Sequence, residues 1–90
     1  MTEKKHPFVL GLTYHCRTVT MAIAGTLKAV YDNELVFENA SWVADTGRFN
    51  EYLKDTSLVN ENEPFKYDVI VGRNAIIDMT QIDSVFEEVK

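Results

Sequence analysis

From His15 to Tyr31 the sequence alternates with period two, and this constrains the fold more than any other feature. His15, Arg17, Val19, Met21, Ile23, Gly25, Leu27, Ala29 and Tyr31 share one parity, large and mostly apolar from Val19 onward. Cys16, Thr18, Thr20, Ala22, Ala24, Thr26, Lys28 and Val30 share the other, small or polar. Successive side chains of a strand point to opposite faces, so this pattern predicts a long half-buried strand, bent near Gly25. Asp32-Asn33 interrupts it with residues that suit turns, and "LVFENASWVA" resumes as a second strand. Tyr31 to Leu35 therefore reads as a hairpin connection, with Asn39 marking a bend in the second strand.

After Asp45 the period changes. Phe49, Tyr52 and Leu53 fall at helical spacing, with Asp45 or Thr46 as candidate caps and Gly47 weakening the first turn. Two to three helical turns are expected. "SLVNENEPF" is polar and acidic with a proline, which predicts a loop, so residues 46–66 form a helical insertion. Tyr67–Val71 and Ala75–Met79 are β-rich runs separated by Gly72-Arg73-Asn74, a tight turn in which Gly72 is expected to supply an unusual backbone angle. "TQIDSVFEEVK" places Ile82, Val85, Phe86 and Val89 on one stripe, and Ser84 with Glu87 fits a capping box, so a C-terminal helix is expected. The sum is a polar N-terminal arm over residues 1–7 and one domain over 8–90. That domain is mainly β, a small, strongly bent β-barrel with a short helical insertion and a C-terminal helix.

Ninety residues make a marginal core, so burial against further copies of the chain is expected to help. The net charge is −5, with the excess of acid in the second half, and a long-range field of that sign disfavours double-stranded DNA and polyanions generally. The single cysteine, Cys16, fits a reducing compartment, and no apolar run approaches the ~20 residues of a membrane helix. A cytoplasmic protein with no membrane contact is expected. Metal binding finds no support: His15 and Cys16 are adjacent and point to opposite faces of a strand, and no paired Cys or His spacing exists. Nor is there a nucleophile with a base partner or a glycine-rich phosphate loop, so neither an enzyme nor a cofactor is expected.

Two places hold candidate binding residues. Arg73, at the apex of the Gly72-Arg73-Asn74 turn, would project outward and suit a phosphate, a carboxylate or a base edge, or face only water. Trp42, Asp45, Arg48 and Phe49 sit where strand passes into helix. Asp45 can orient Arg48 there while the two aromatics offer a partner surface, or both aromatics are core and the charges are surface.

"GTLKAVYDNELVFENA" resembles the first motif of the Sm, Sm-like and Hfq small barrels, with Gly25, Leu27, Tyr31 and Asp32 in the motif's places. "VIVGRNAIIDM" is similar to the second motif, where a basic and polar turn joins the last two strands. The resemblance implies an Sm-like or SH3-like barrel, assembled in a ring, with Asp32, Arg73 and Asn74 on the pore side contacting single-stranded RNA. Residues 42–66 intervene where that family has a short connection. "ELVFENASWVADTGRF" resembles a stretch of uncharacterised small phage and bacterial proteins, which implies a phage or prophage setting. The expected function is a non-enzymatic, homo-oligomeric binding module, a phage accessory or assembly component acting through protein contacts. The alternative is an Hfq-like ring that holds single-stranded RNA or a small phosphorylated nucleotide through the Gly72-Arg73-Asn74 turn.

Overall fold

A computed structural model describes residues 6–90. In chain order the elements are β1 (Thr13–Thr18), β2 (Ala22–Val30), β3 (Glu34–Asp45), α1 (Phe49–Lys54), a 3-10 turn (Thr56–Leu58), β4 (Glu61–Pro64), β5 (Val69–Gly72), a second 3-10 turn (Arg73–Ala75) and β6 (Ile76–Gln81). The chain is mainly β, as its alternation predicts. Of the arm expected over residues 1–7, residues 1–5 lie outside the described residues. No helix among the described residues is long and apolar enough to cross a membrane.

All six strands belong to one antiparallel sheet, in the order β4-β3-β2-β1-β6, with β5 also paired to β3. The twelve-residue β3 serves two partners on the side away from β2: Glu34–Phe37 pairs with β5, and Ser41–Asp45 pairs with β4. The hydrogen-bonded path runs from β5 through β3, β2 and β1 to β6 and stops there, so the sheet is open rather than a closed barrel.

A close approach between two backbones bends this sheet. β2 and β3 pair as Ala24↔Ser41 on one side of Gly25 and Thr26↔Glu38 on the other, so β3 carries one extra residue there. Asn39 takes it up with φ 50, a left-handed conformation that asparagine tolerates better than most residues. A Cβ on Gly25 would lie 3.0 Å from the Cβ atoms of both Ala40 and Phe37, which is why glycine occupies the bend.

The bend leaves both faces of the sheet covered. On one face Tyr14, Cys16, Ile23, Leu27, Leu35, Phe37, Ala40 and Val71 form the larger core. On the other, Ala24 and Val43 meet Tyr52 of α1, Val59 and Ile82. Leu27, Leu35 and Phe37 are almost fully buried, each side chain contributing about 1.5–3 kcal/mol.

Four expectations need correction. The strand predicted from His15 to Tyr31 is two strands joined by a tight turn at Val19-Thr20, closed by the Thr18 N–H to the Met21 carbonyl at 2.7 Å. Thr18 Oγ1 accepts from the Met21 N–H at 3.1 Å, so a threonine does the work usually signalled by glycine or asparagine. The loop predicted over "SLVNENEPF" contains β4, because the second half of β3 needs a partner and Asn62 inserts its side chain under the C-terminal segment. The helix of the insertion is a single six-residue stretch, shorter than expected, with Arg48 at its N-cap rather than Asp45 or Thr46. The predicted C-terminal helix is absent among the described residues. Ile82, Val85 and Phe86 do pack on the second core, but from an extended segment whose end exchanges two backbone hydrogen bonds between Lys90 and Asn62. So short a helix is unstable on its own, whereas the extended segment lets the Ile82 N–H donate to the Thr13 carbonyl and Lys90 pair with Asn62 at the edge of β4. Ser84 lies 3.4 Å from Thr56 Oγ1 and caps nothing.

The two glycines at the ends of this argument separate cleanly on substitution. Gly25→Ala is expected to destabilise the protein by about 1–3 kcal/mol through overpacking against Ala40 and Phe37. Gly72 has φ −67 and open space where a Cβ would lie, so it supplies no unusual angle. Gly72→Ala is expected to be neutral or to stabilise by up to about 1 kcal/mol. Urea unfolding of both variants beside the parent checks the pair.

Candidate ligand cleft

β1 and β2 carry small or polar residues on the face turned toward α1. Cys16 joins the larger core, so its neighbour His15 points the other way, toward the helix. β3 runs past the end of β2 to Asp45, where the chain must reverse. Gly47, at φ 72, makes that corner, and Asp45 Oδ1 accepts the Gly47 N–H at 2.8 Å. The reversal lays α1 back across the sheet and seats Tyr52 beside His15.

Beside α1 lies an open cleft of about 720 Å³ with His15, Phe49 and Leu53 on one side and Asp78, Met79 and Thr80 of β6 on another. Its base is an aromatic cluster. His15 Nδ1 and Tyr52 Oη are 3.0 Å apart, and the His15 ring meets Tyr52 and Phe49 edge-on at centroid distances of 5.2 and 5.6 Å. His15 and Tyr52 are each only 2% exposed, whereas Phe49 is 43% exposed and forms a wall. At the mouth, Arg17 and Asp78 stand directly opposite each other on β1 and β6 and pair through two hydrogen bonds, Nε to Oδ1 at 2.8 Å and Nη2 to Oδ2 at 2.5 Å.

The electrostatics follow from this placement. Burial pushes the His15 imidazole below its ordinary value, the nearby Arg17 charge pushes the same way, and Asp78 opposes both. His15 is therefore neutral at pH 7. Burial raises the Tyr52 phenol to about 12, so it stays protonated. Cys16 is pushed up to about 11, chiefly by burial, and behaves as a small apolar core residue. The hydrogen bonds from Arg17 hold the Asp78 carboxyl below its usual range. Among the described residues no three His, Cys, Asp or Glu side chains gather in a way that could hold a metal ion.

The residues singled out from sequence fall in two places. The Asp32 turn and the Arg73-Asn74 turn do meet: Glu34 pairs with Gly72, and the Arg73 N–H donates to the Asn33 carbonyl at 2.9 Å. Arg73 does not project freely from an apex. Its Nη1 donates to the Tyr31 carbonyl at 2.8 Å, and its guanidinium lies 5.1 Å from the Phe8 ring centroid. Asp32 and Asn74 are exposed. Of the second group, Asp45 and Phe49 line the cleft, whereas Trp42 does not. Arg48 pairs with Glu51 at 3.4 Å instead of with Asp45, whose Oδ1 is taken by Gly47. Sequence reasoning missed the grouping of His15, Arg17 and Asp78, which depends on the unrecognised turn at Val19-Thr20 and on the pairing of β1 with β6. Comparisons with protein-family models, curated proteins and solved structures found no match to this chain.

Because the folded state disfavours protonated His15, the unfolded chain binds the extra proton first. Stability is expected to be flat above pH 6.5, the ordinary histidine value, and to fall as pH drops from there through the lower folded value. In His15→Gln the fall in this window is expected to vanish, leaving only the later loss from carboxylates such as Asp78. Urea unfolding of both proteins across this range gives the slope, and an unchanged slope in the variant would assign it elsewhere.

Proposed function

We propose that this chain is a non-enzymatic binding module that assembles with copies of itself through the free edges of β5 and β6. The observation that carries this reading is the contrast among the three strand edges. β4 is guarded: Glu61, Glu63 and Pro64 stand on it, and Lys90 occupies its backbone at Asn62. β5 and β6 each pair on one side only, and they expose Ile70 and Ile77 at 70% and 60%. An unprotected strand edge beside an exposed isoleucine is a template for another strand. A chain that ends its sheet in two such edges can pair β5 of one copy with β6 of the next.

The strand order supports the finer reading of an Sm-like or SH3-like small barrel. β1, β2, β3 and β5 follow in sequence, a 3-10 turn links β5 to β6, and β6 returns to β1. In such an assembly the acidic body favours protein contact over polyanion binding. Ile70→Lys with Ile77→Lys is expected to convert an oligomer into a monomer while the far-ultraviolet circular dichroism stays unchanged. Native mass spectrometry reads the result, and a parent chain that is already monomeric at micromolar concentration overturns the reading.

One observation favours a second reading, single-stranded RNA held at the turns. Asp32, Arg73 and Asn74 lie on two turns that touch, Arg73 bonds the backbone of the exposed Tyr31 and stands over the Phe8 ring, and an arginine with aromatics near it suits an unstacked base. Under it, a fluorescent oligo-uridine binds the parent at low salt, and Asn74→Ala or Arg73→Ala removes that binding with the oligomer intact. No change in anisotropy with the parent ends this reading and leaves the first untouched.

A further inference from the structure

We propose that the cleft beside α1 is a binding site for an uncharged heteroaromatic amine of nucleobase size, a planar ring with a hydrogen-bond acceptor and an exocyclic amino group. The argument is independent of assembly through β5 and β6.

It starts from the protons at the base of the cleft. Tyr52 Oη is buried, and His15 Nδ1 is its hydrogen-bond partner among the described residues. A buried hydroxyl that fails to donate leaves an unsatisfied proton, which costs about 1–3 kcal/mol. The phenol therefore donates to Nδ1, so the imidazole proton sits on Nε2. Nε2 has no partner in the described residues, and His15 lines the cleft. The floor thus offers one N–H donor from a neutral ring.

The mouth offers the opposite. Asp45 engages only Oδ1, with the Gly47 N–H, and its Oδ2 is an open acceptor carrying charge. Arg17 is the cation nearest the floor, and the Nε–Nη2 edge of its guanidinium is committed to Asp78, which neutralises its charge. The cleft's remaining charge is that of Asp45, which repels carboxylates and phosphates and accepts from an amine. Phe49 adds a half-exposed aromatic wall. A donor on the buried His15, an acceptor on the exposed Asp45 and an aromatic side chain lining the same cleft match a ring acceptor and an exocyclic amine on one planar body. The volume of about 720 Å³ lies within the ordinary range of small-molecule sites, about 300–1,000 Å³.

The test titrates the full chain, labelled with nitrogen-15, with adenosine and cytidine. Inosine and uridine, which replace the amine by a carbonyl and turn the neighbouring ring acceptor into an N–H donor, serve as controls, and adenosine monophosphate adds charge. Saturable shifts at His15 and around Asp45–Phe49 are expected with the amines. Inosine and uridine are expected to bind at least about tenfold more weakly, the equivalent of one lost hydrogen bond to a charged acceptor, with the ring contact to His15 lost besides. The monophosphate should bind no more tightly than adenosine. In Asp45→Asn, a surface change that leaves the core alone, the preference for amine over carbonyl is expected to fall severalfold, with the remainder held by the ring contact to His15. His15→Phe should remove binding of both amines if the variant folds, and the Asp45→Asn result stands whether or not it does. Absence of saturable shifts with either amine, equal or tighter binding of the carbonyl or phosphate compounds, or an amine preference unchanged in Asp45→Asn would each overturn the proposal.

Discussion

The rest of the structure depends on the close approach of β2 to β3 at Gly25. With the backbone of Ala40 packed against a residue that has no Cβ, the two strands fold sharply while staying hydrogen-bonded on either side. The sharp bend lets β3 run in two directions, so that one half supports β5 and the other supports β4. It also divides the apolar residues between two cores on opposite faces. A flat sheet of this size would leave one face wet, and a chain of 90 residues has little apolar surface to spare. The bend thus converts a shortage of core into two small cores sharing one sheet.

The same geometry explains what was legible in the sequence. Alternation is a local signal, and the mainly β character, the Tyr31–Leu35 hairpin, the bend at Gly25 and the short helix at Phe49 were all readable from it. The turn at Val19-Thr20 was not, because its chemistry resides in a threonine side chain that bonds its own neighbours rather than in glycine or asparagine. Missing it inverts a face. A two-residue turn pairs Cys16 with Ile23 and His15 with Ala24, whereas one unbroken strand would place His15 beside Ile23. The turn thus puts His15 under α1 rather than on the face of Ile23. The C-terminal stripe failed for a different reason. Ile82, Val85 and Phe86 are apolar because they are buried, but their spacing does not distinguish a helix from an extended segment laid over a helix and a strand.

Charge and burial at the strand edges were legible only in part. The acids of "NENEP" suggest solvation, and they are solvated, yet they stand on a strand whose edge they protect. Ile70 and Ile77 belong to the β-rich runs read on either side of Gly72-Arg73-Asn74, and both are exposed. An exposed isoleucine in a marginal core is a loss of roughly 1.5–3 kcal/mol of potential burial per side chain. Among the described residues nothing recovers it. That shortfall, rather than any motif, is the physical case for a partner strand.

β6 belongs to both proposals, and its geometry keeps them separable. Its backbone faces β1 on one side and is open on the other, which is the edge that assembly would use. Its side chains at Asp78, Met79 and Thr80 border the cleft, whereas Ile77 does not. Asp78 is also tied across the sheet to Arg17, so the cleft wall is held by the β1–β6 ladder before any second copy arrives. A strand added at the open edge would bond to the backbone of β6, whereas the cleft uses its side chains at Asp78, Met79 and Thr80. Loss of assembly on changing Ile77 is therefore separable from loss of the amine preference on changing Asp45. The two activities draw on different chemical groups, backbone donors and acceptors for one and a buried imidazole with an open carboxylate for the other.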